Sequence, residues 1–67
     1  MRIELNTING LIIYPNAKLG INEEEQYVSI FVKYKKRAFR SSYFFHEIKL
    51  LKADGVEIIL RRSKNGD

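Results

Sequence analysis

The sequence predicts a mainly β domain, and three observations carry that expectation. Short runs rich in Ile, Val, Leu, Phe and Tyr recur along the chain, as strands require. Asn9-Gly10 and Asp54-Gly55 each stand between two such runs. Such dipeptides are the strongest short hairpin signal, because both central residues of a type I′ turn need positive φ. Large apolar residues also occur side by side, at Leu11-Ile12-Ile13, Phe44-Phe45, Leu50-Leu51 and Ile58-Ile59-Leu60. Strand neighbours point to opposite faces, so these runs demand a sheet covered on both sides, or leave apolar surface for a partner.

In chain order, Ile3-Glu4-Leu5-Asn6-Thr7-Ile8 predicts the first strand and Leu11-Ile12-Ile13-Tyr14 the second. Together they make a hairpin over residues 2–14, ended by Pro15, which has no ladder donor. Residues 15–26 are rich in turn formers and predict a connector, with Leu19 and Ile21 tucked inward on either side of Gly20. Asn22 is placed to cap one helical turn over 23–26. Residues 27–34 give the clearest strand, with Val28, Ile30, Val32 and Tyr34 on one face. A more mixed row, Tyr27, Ser29, Phe31 and Lys33, lies on the other face. Lys35-Lys36-Arg37-Ala38 predicts a turn, with an antiparallel return from Phe39.

Residues 42–53 fit two patterns. A helix would take Ser42 as its cap, align Phe44, Ile48 and Leu51 and end at Gly55. A strand would set Phe44, His46, Ile48 and Leu50 against Glu47 and Lys49, turn at Asp54-Gly55 and return through residues 56–62. The strand register pairs Lys52 with Glu57 and Glu47 with Arg62, two opposite-charge contacts, whereas the helix strands Leu50 and Tyr43 on its polar side. The strand is the prediction. Five short strands then suit a small antiparallel barrel or strongly curved sheet, in the style of SH3-like or OB-like modules. The alternative is an α+β fold of four strands with one helix at about 42–53. Either way residues 1–67 make one small domain, with 63–67 a frayed polar tail.

Composition narrows the function classes. The absence of Cys excludes disulfides and thiolate metal sites, and the lone His46 excludes a multi-His zinc site. No cofactor is implied. Stability must come from packing or self-association, because a chain of 67 residues buries a limited core. No apolar run nears the ~18 to 20 residues of a membrane span, and Glu4 interrupts the first apolar stretch where a signal peptide would be apolar. A cytoplasmic protein without a membrane partner is expected. No Gly-x-Ser-x-Gly elbow or phosphate-cradling glycine loop occurs. His46 and Glu47 are adjacent and point apart, Ser41 and Ser42 have no evident base, and the consecutive Glu23-Glu24-Glu25 cannot converge on a cation. The expectation is a non-enzymatic protein.

Charge points to a partner. Residues 1–32 hold two bases against four acids, a net of −2, while 33–67 hold ten against four, a net of +6. Five of the twelve Lys and Arg residues fall within positions 33–43, with no acid among them. Lys33, Lys35, Lys36, Arg37 and Arg40 would hold phosphates while Tyr34, Phe39 and Tyr43 stack on bases. Arg61, Arg62 and Lys64, at the end of the last strand, would extend that surface. The chain is therefore expected to be a small basic nucleic-acid-binding module whose hairpin tip contacts phosphates. The alternative is a protein-interaction module or inhibitor of the kind mobile elements encode. It would be homodimeric, or would dock its basic face on an acidic protein surface. Residues 47–56, Glu-Ile-Lys-Leu-Leu-Lys-Ala-Asp-Gly-Val, resemble the helix-glycine-strand opening of HicA-type toxins. The Gly-Ser-His segment that follows in that family has no counterpart here, where the chain runs Arg61-Arg62-Ser63-Lys64, so no residue role is carried over.

Overall fold

The computed structural model describes residues 1–63. Lys64 and most of the tail expected over 63–67 lie outside the described residues. The fold is mainly β. Seven strands run β1 (Ile3–Thr7), β2 (Gly10–Tyr14), β3 (Lys18–Asn22), β4 (Tyr27–Tyr34), β5 (Arg37–Phe44), β6 (Ile48–Ala53) and β7 (Val56–Glu57). They form two antiparallel sheets, in the orders β2-β1-β6-β7 and β3-β4-β5. Among the described residues no closed barrel is found, and there are two more strands than the five expected.

The first hairpin forms where expected, but Asn9-Gly10 is not its turn. Thr7 pairs with Gly10, so Ile8 and Asn9 make the turn, and of the three residues only Gly10 has positive φ (124°). The cause is Thr7, a buried residue whose hydroxyl must be satisfied. Its Oγ1 accepts from the Asn9 amide and donates to the Gly10 carbonyl, each at 3.0 Å. Asp54-Gly55 does follow the hairpin rule, with φ of 50° and 82°.

The expected connector over 15–26 contains a strand. Turn formers dominate its composition, yet β3 pairs along its full length with β4, from Lys18↔Phe31 to Asn22↔Tyr27. Leu19 and Ile21 share the face turned toward the core; Leu19 packs there, while Ile21 stays 45% exposed. Asn22 Oδ1 accepts the Glu25 amide at 2.8 Å, as a cap would, but residues 23–26 are a four-residue hairpin loop closed by Gln26 at φ 61°.

β4 matches its prediction. The following turn is shorter than expected, because Arg37 and Ala38 already belong to β5, opposite Tyr34 and Lys33. Lys35 and Lys36 alone make the turn, with Lys35 at φ 58°.

Residues 42–53 are mostly strand, as expected, and not the alternative helix, but they are not one strand. They finish β5, pass through a 3₁₀ turn at Phe45–Glu47 and begin β6. A single strand is impossible here, because β5 belongs to one sheet and β6 to the other. The turn buries Phe45 and leaves Phe44 half in solvent, reversing the expected facing of Phe44. A bulge then shifts β6, so that Thr7 faces Ile48 but Asn6 faces Leu50. Lys49 is the extra residue, and the shift lets Ile48 and Leu51, three apart, both enter the core.

The expected pairing of Lys52 with Glu57 is present; that of Glu47 with Arg62 is not. The ladder ends with one further bond, from the Ile58 amide to the Leu51 carbonyl at 2.8 Å, and the Arg62 guanidinium instead donates to the carbonyls of Phe45 and Ile48.

The core lies between the sheets. Ile3 and Leu5 of β1, Val28 and Ile30 of β4 and Ile48 and Leu51 of β6 close around Phe45 and Ala17. The adjacent apolar residues thus divide: Phe45 and Leu51 go inside, while Phe44, Leu11 and Ile13 stay on the surface. Among the described residues, no helix is long and apolar enough to cross a membrane.

Candidate nucleic-acid interface

The basic stretch is lifted away from the core by strand length. β3 stops pairing at Phe31, whereas β4 and β5 continue to the Tyr34↔Arg37 pair. Residues 32–34 with 37–39 therefore form a two-stranded ribbon ending at Lys35 and Lys36. Lys33, Tyr34, Lys35, Lys36, Arg37, Phe39 and Arg40 are all exposed. The only ion pairs among the described residues are Arg2–Glu4 at 3.6 Å and Arg61–Glu23 at 3.8 Å, so the cations at the tip lack an acidic partner. Lys35 Nζ sits 5.5 Å from the centroid of the Tyr34 ring, within cation–π range.

The expected residues divide between the two faces of the ribbon. Tyr34, Arg37 and Phe39 continue the core-facing side beyond the point where the core ends. Lys33 and Arg40 lie on the outer side. The structure therefore brings Lys33, Tyr34, Lys35, Lys36, Arg37 and Phe39 together at one end.

Tyr43 is not part of this surface. It packs against the core, and its hydroxyl bonds that of Tyr14 at 2.7 Å. Burial, reinforced by that hydrogen bond, pushes its phenol up to about 12 from 10.0. The folded state therefore holds this proton through a pH range in which the unfolded chain releases it, so the contribution of Tyr43 to stability is full below about 10 and is lost as pH rises to about 12. The urea midpoint followed by circular dichroism is expected to drop across that window, and Tyr43→Phe to flatten the drop.

Arg61 and Arg62 do not extend the tip either. The Arg61 carbonyl accepts from Gln26 Nε2 at 3.0 Å, and the Ser63 amide donates to Gln26 Oε1 at 2.8 Å. Gln26 precedes the first residue of β4, and the tip follows its last. At ~3.3 Å per residue those ends lie roughly 23 Å apart. Arg61 pairs with Glu23, and Arg62 fastens the last segment to the 3₁₀ turn.

Sequence reasoning missed the aromatic content of the outer face of β3-β4-β5. Tyr27, Phe31 and Phe44 stand on it with Lys18, Lys33 and Arg40. Phe31 is 43% and Phe44 52% exposed. The Arg40 guanidinium carbon lies 6.0 Å from the Tyr27 ring centroid, and Phe44 stacks on His46 at 5.6 Å, 8° from parallel. The signal was the mixed row Tyr27, Ser29, Phe31 and Lys33; its partners on β3 and β5 were not readable without the register. Among the described residues no group of three or more His, Asp or Glu could hold a metal ion. The chain matches no known family model, characterised protein or solved structure with which it was compared.

Proposed function

We propose that this chain is a small, non-enzymatic nucleic-acid-binding module that grips phosphates through the β4–β5 tip. One observation carries the reading: Lys33, Lys35, Lys36 and Arg37 stand exposed, without an acidic partner among the described residues, on a ribbon that projects past its own sheet, beside Tyr34 and Phe39. Cations held clear of the acidic loop at 23–25 displace counterions from a phosphate backbone without first breaking internal ion pairs. The test is fluorescence anisotropy of a labelled oligonucleotide at low and moderate salt. Binding that weakens steeply with salt is expected; its absence at ~50 mM salt would overturn the reading.

A second reading, protein association, is favoured by one specific observation. On the outer side of the β2-β1-β6-β7 sheet, Leu11 is 59% and Ile13 41% exposed, beside the free edge of β2. Apolar side chains next to an open edge suit a second copy or a partner strand. In this reading the tip docks on an acidic protein surface. Equilibrium sedimentation is expected to show a dimer, and a monomer across a hundredfold concentration range would remove the homodimer.

A further inference from the structure

We infer that the outer face of the β3-β4-β5 sheet is a stacking platform for unpaired bases, so that the favoured ligand is single-stranded. The inference rests on the nucleic-acid reading above and adds a site to it. Strand register orders this face into three cross-strand rows. Lys18, Phe31 and Arg40 form the row nearest the tip; Gly20, Ser29 and Ser42 form the middle row; Asn22, Tyr27 and Phe44 form the far row. Rings therefore stand at both ends of a strip whose centre holds only the smallest side chains. Each row is two residues from the next, so the aromatic rows are about 13 Å apart.

Local packing keeps the strip shallow, with Ser29 at its centre 5% exposed. A Cβ on Gly20 would lie 3.3 Å from Phe31 Cε2, so glycine at this position lets the Phe31 ring lie low across the sheet. Ser29 and Ser42 answer each other, Oγ to Oγ at 3.4 Å, and raise nothing above the floor. The Arg40 guanidinium leans across this row toward Tyr27. The result is a shallow depression of about 260 Å³ lined by Gly20, Asn22, Tyr27, Ser29, Phe31 and Arg40.

Charge decides the occupant. The strand positions of this face hold Lys18, Lys33 and Arg40 and no acid. Glu25, in the loop beyond the far row, lies beside Tyr27 and Phe44 and sets an acidic limit there. The exposed Phe31 ring between Lys18 and Arg40, with Tyr27 and Phe44 in the far row, fits a polyanion that presents flat π-faces, which is the chemistry of a single strand. Its phosphates would run from Arg40 past Lys33 to the tip, away from Glu25. A duplex keeps its base faces stacked inside and would meet only the cations.

The experiment compares a labelled oligothymidylate of about 12 nucleotides with a duplex of equal length, at ~100 mM salt. The wild type is expected to prefer the single strand. Phe31→Ala is expected to weaken single-strand binding about 5- to 150-fold, the worth of one stacked base, with duplex binding and the salt slope unchanged. Phe31→Leu retains apolar cover over Gly20 but has no π-face, and is expected to show the same loss if the alanine variant is poorly folded. A wild type that binds duplex as well as single strand overturns the platform. So does single-strand affinity untouched in both Phe31 variants while Lys35→Ala/Lys36→Ala weakens it; the nucleic-acid reading then survives alone. Absence of any binding at ~50 mM salt removes both.

Discussion

Phe45→Ala is expected to remove most of the stability of this protein. Phe45 is the largest fully buried side chain, 1% exposed, and sits in the 3₁₀ turn where the chain crosses between sheets. Its amide donates to the Gln26 carbonyl at 2.8 Å, and its own carbonyl accepts from Arg62, so the backbone around it is pinned. A pinned site relaxes little into a void, and Phe→Ala in such a core costs about 3 to 5 kcal/mol. At roughly 0.05 to 0.15 kcal/mol per residue, a chain of 67 residues holds about 3 to 10 kcal/mol in reserve. The urea midpoint followed by far-UV circular dichroism should fall by a third or more, or the variant should be unfolded outright. Phe44→Ala is the control. That neighbour is 52% exposed, and its removal is expected to cost under about 1 kcal/mol. A wild-type midpoint for Phe45→Ala would mean that the two sheets do not share this core.

The second large effect concerns binding. Replacing Lys35, Lys36 and Arg37 together with Ala is expected to reduce nucleic-acid affinity by about two to three orders of magnitude at ~100 mM salt. The estimate follows from counterion release: each lost phosphate contact removes about 0.9 from the slope of log K against log salt, so three remove about 2 to 3. The fold should be unaffected. All three side chains are exposed and have no acidic partner among the described residues, and such charges contribute little to stability. Lys35 adopts φ 58°, but lysine and alanine both carry a Cβ, so its replacement leaves the backbone cost of the turn unchanged. A salt titration by anisotropy, with the urea midpoint as a check, separates lost contacts from lost structure. An unchanged salt slope would show that the ribbon tip does not touch phosphate.

Part of this architecture was legible because it depends on near neighbours. The alternation of residues 27–34 yields β4 whatever lies around it, and Asp54-Gly55 turns the chain through its own positive φ values. The crowding of cations on the tip follows from their place between two strands. At Asn9-Gly10 the same local rule failed, since the hydroxyl of one buried residue, Thr7, shifted the turn. At 18–22 composition suggested a connector, because five residues containing Gly20 become a strand only when β4 offers a ladder to pair with. Candidate binding residues show the same division. Lys33 to Phe39 stand where spacing put them, whereas Tyr43 was drawn into the core by Tyr14, and Arg61 and Arg62 were held at the far end by Glu23, Gln26 and the 3₁₀ turn.

By itself the sequence determined a mainly β chain, its clearest strand, the Asp54-Gly55 hairpin and a concentration of positive charge at mid-chain. Each of these is set by contacts within a few residues. Only the tertiary structure decided that the strands separate into two sheets, that Phe45 rather than Phe44 is buried, and that Tyr27, Phe31 and Phe44 share an open face with Arg40. Those outcomes depend on register between distant segments. A shift of one residue turns every side chain over, and the register is chosen by the burial it achieves across the whole fold.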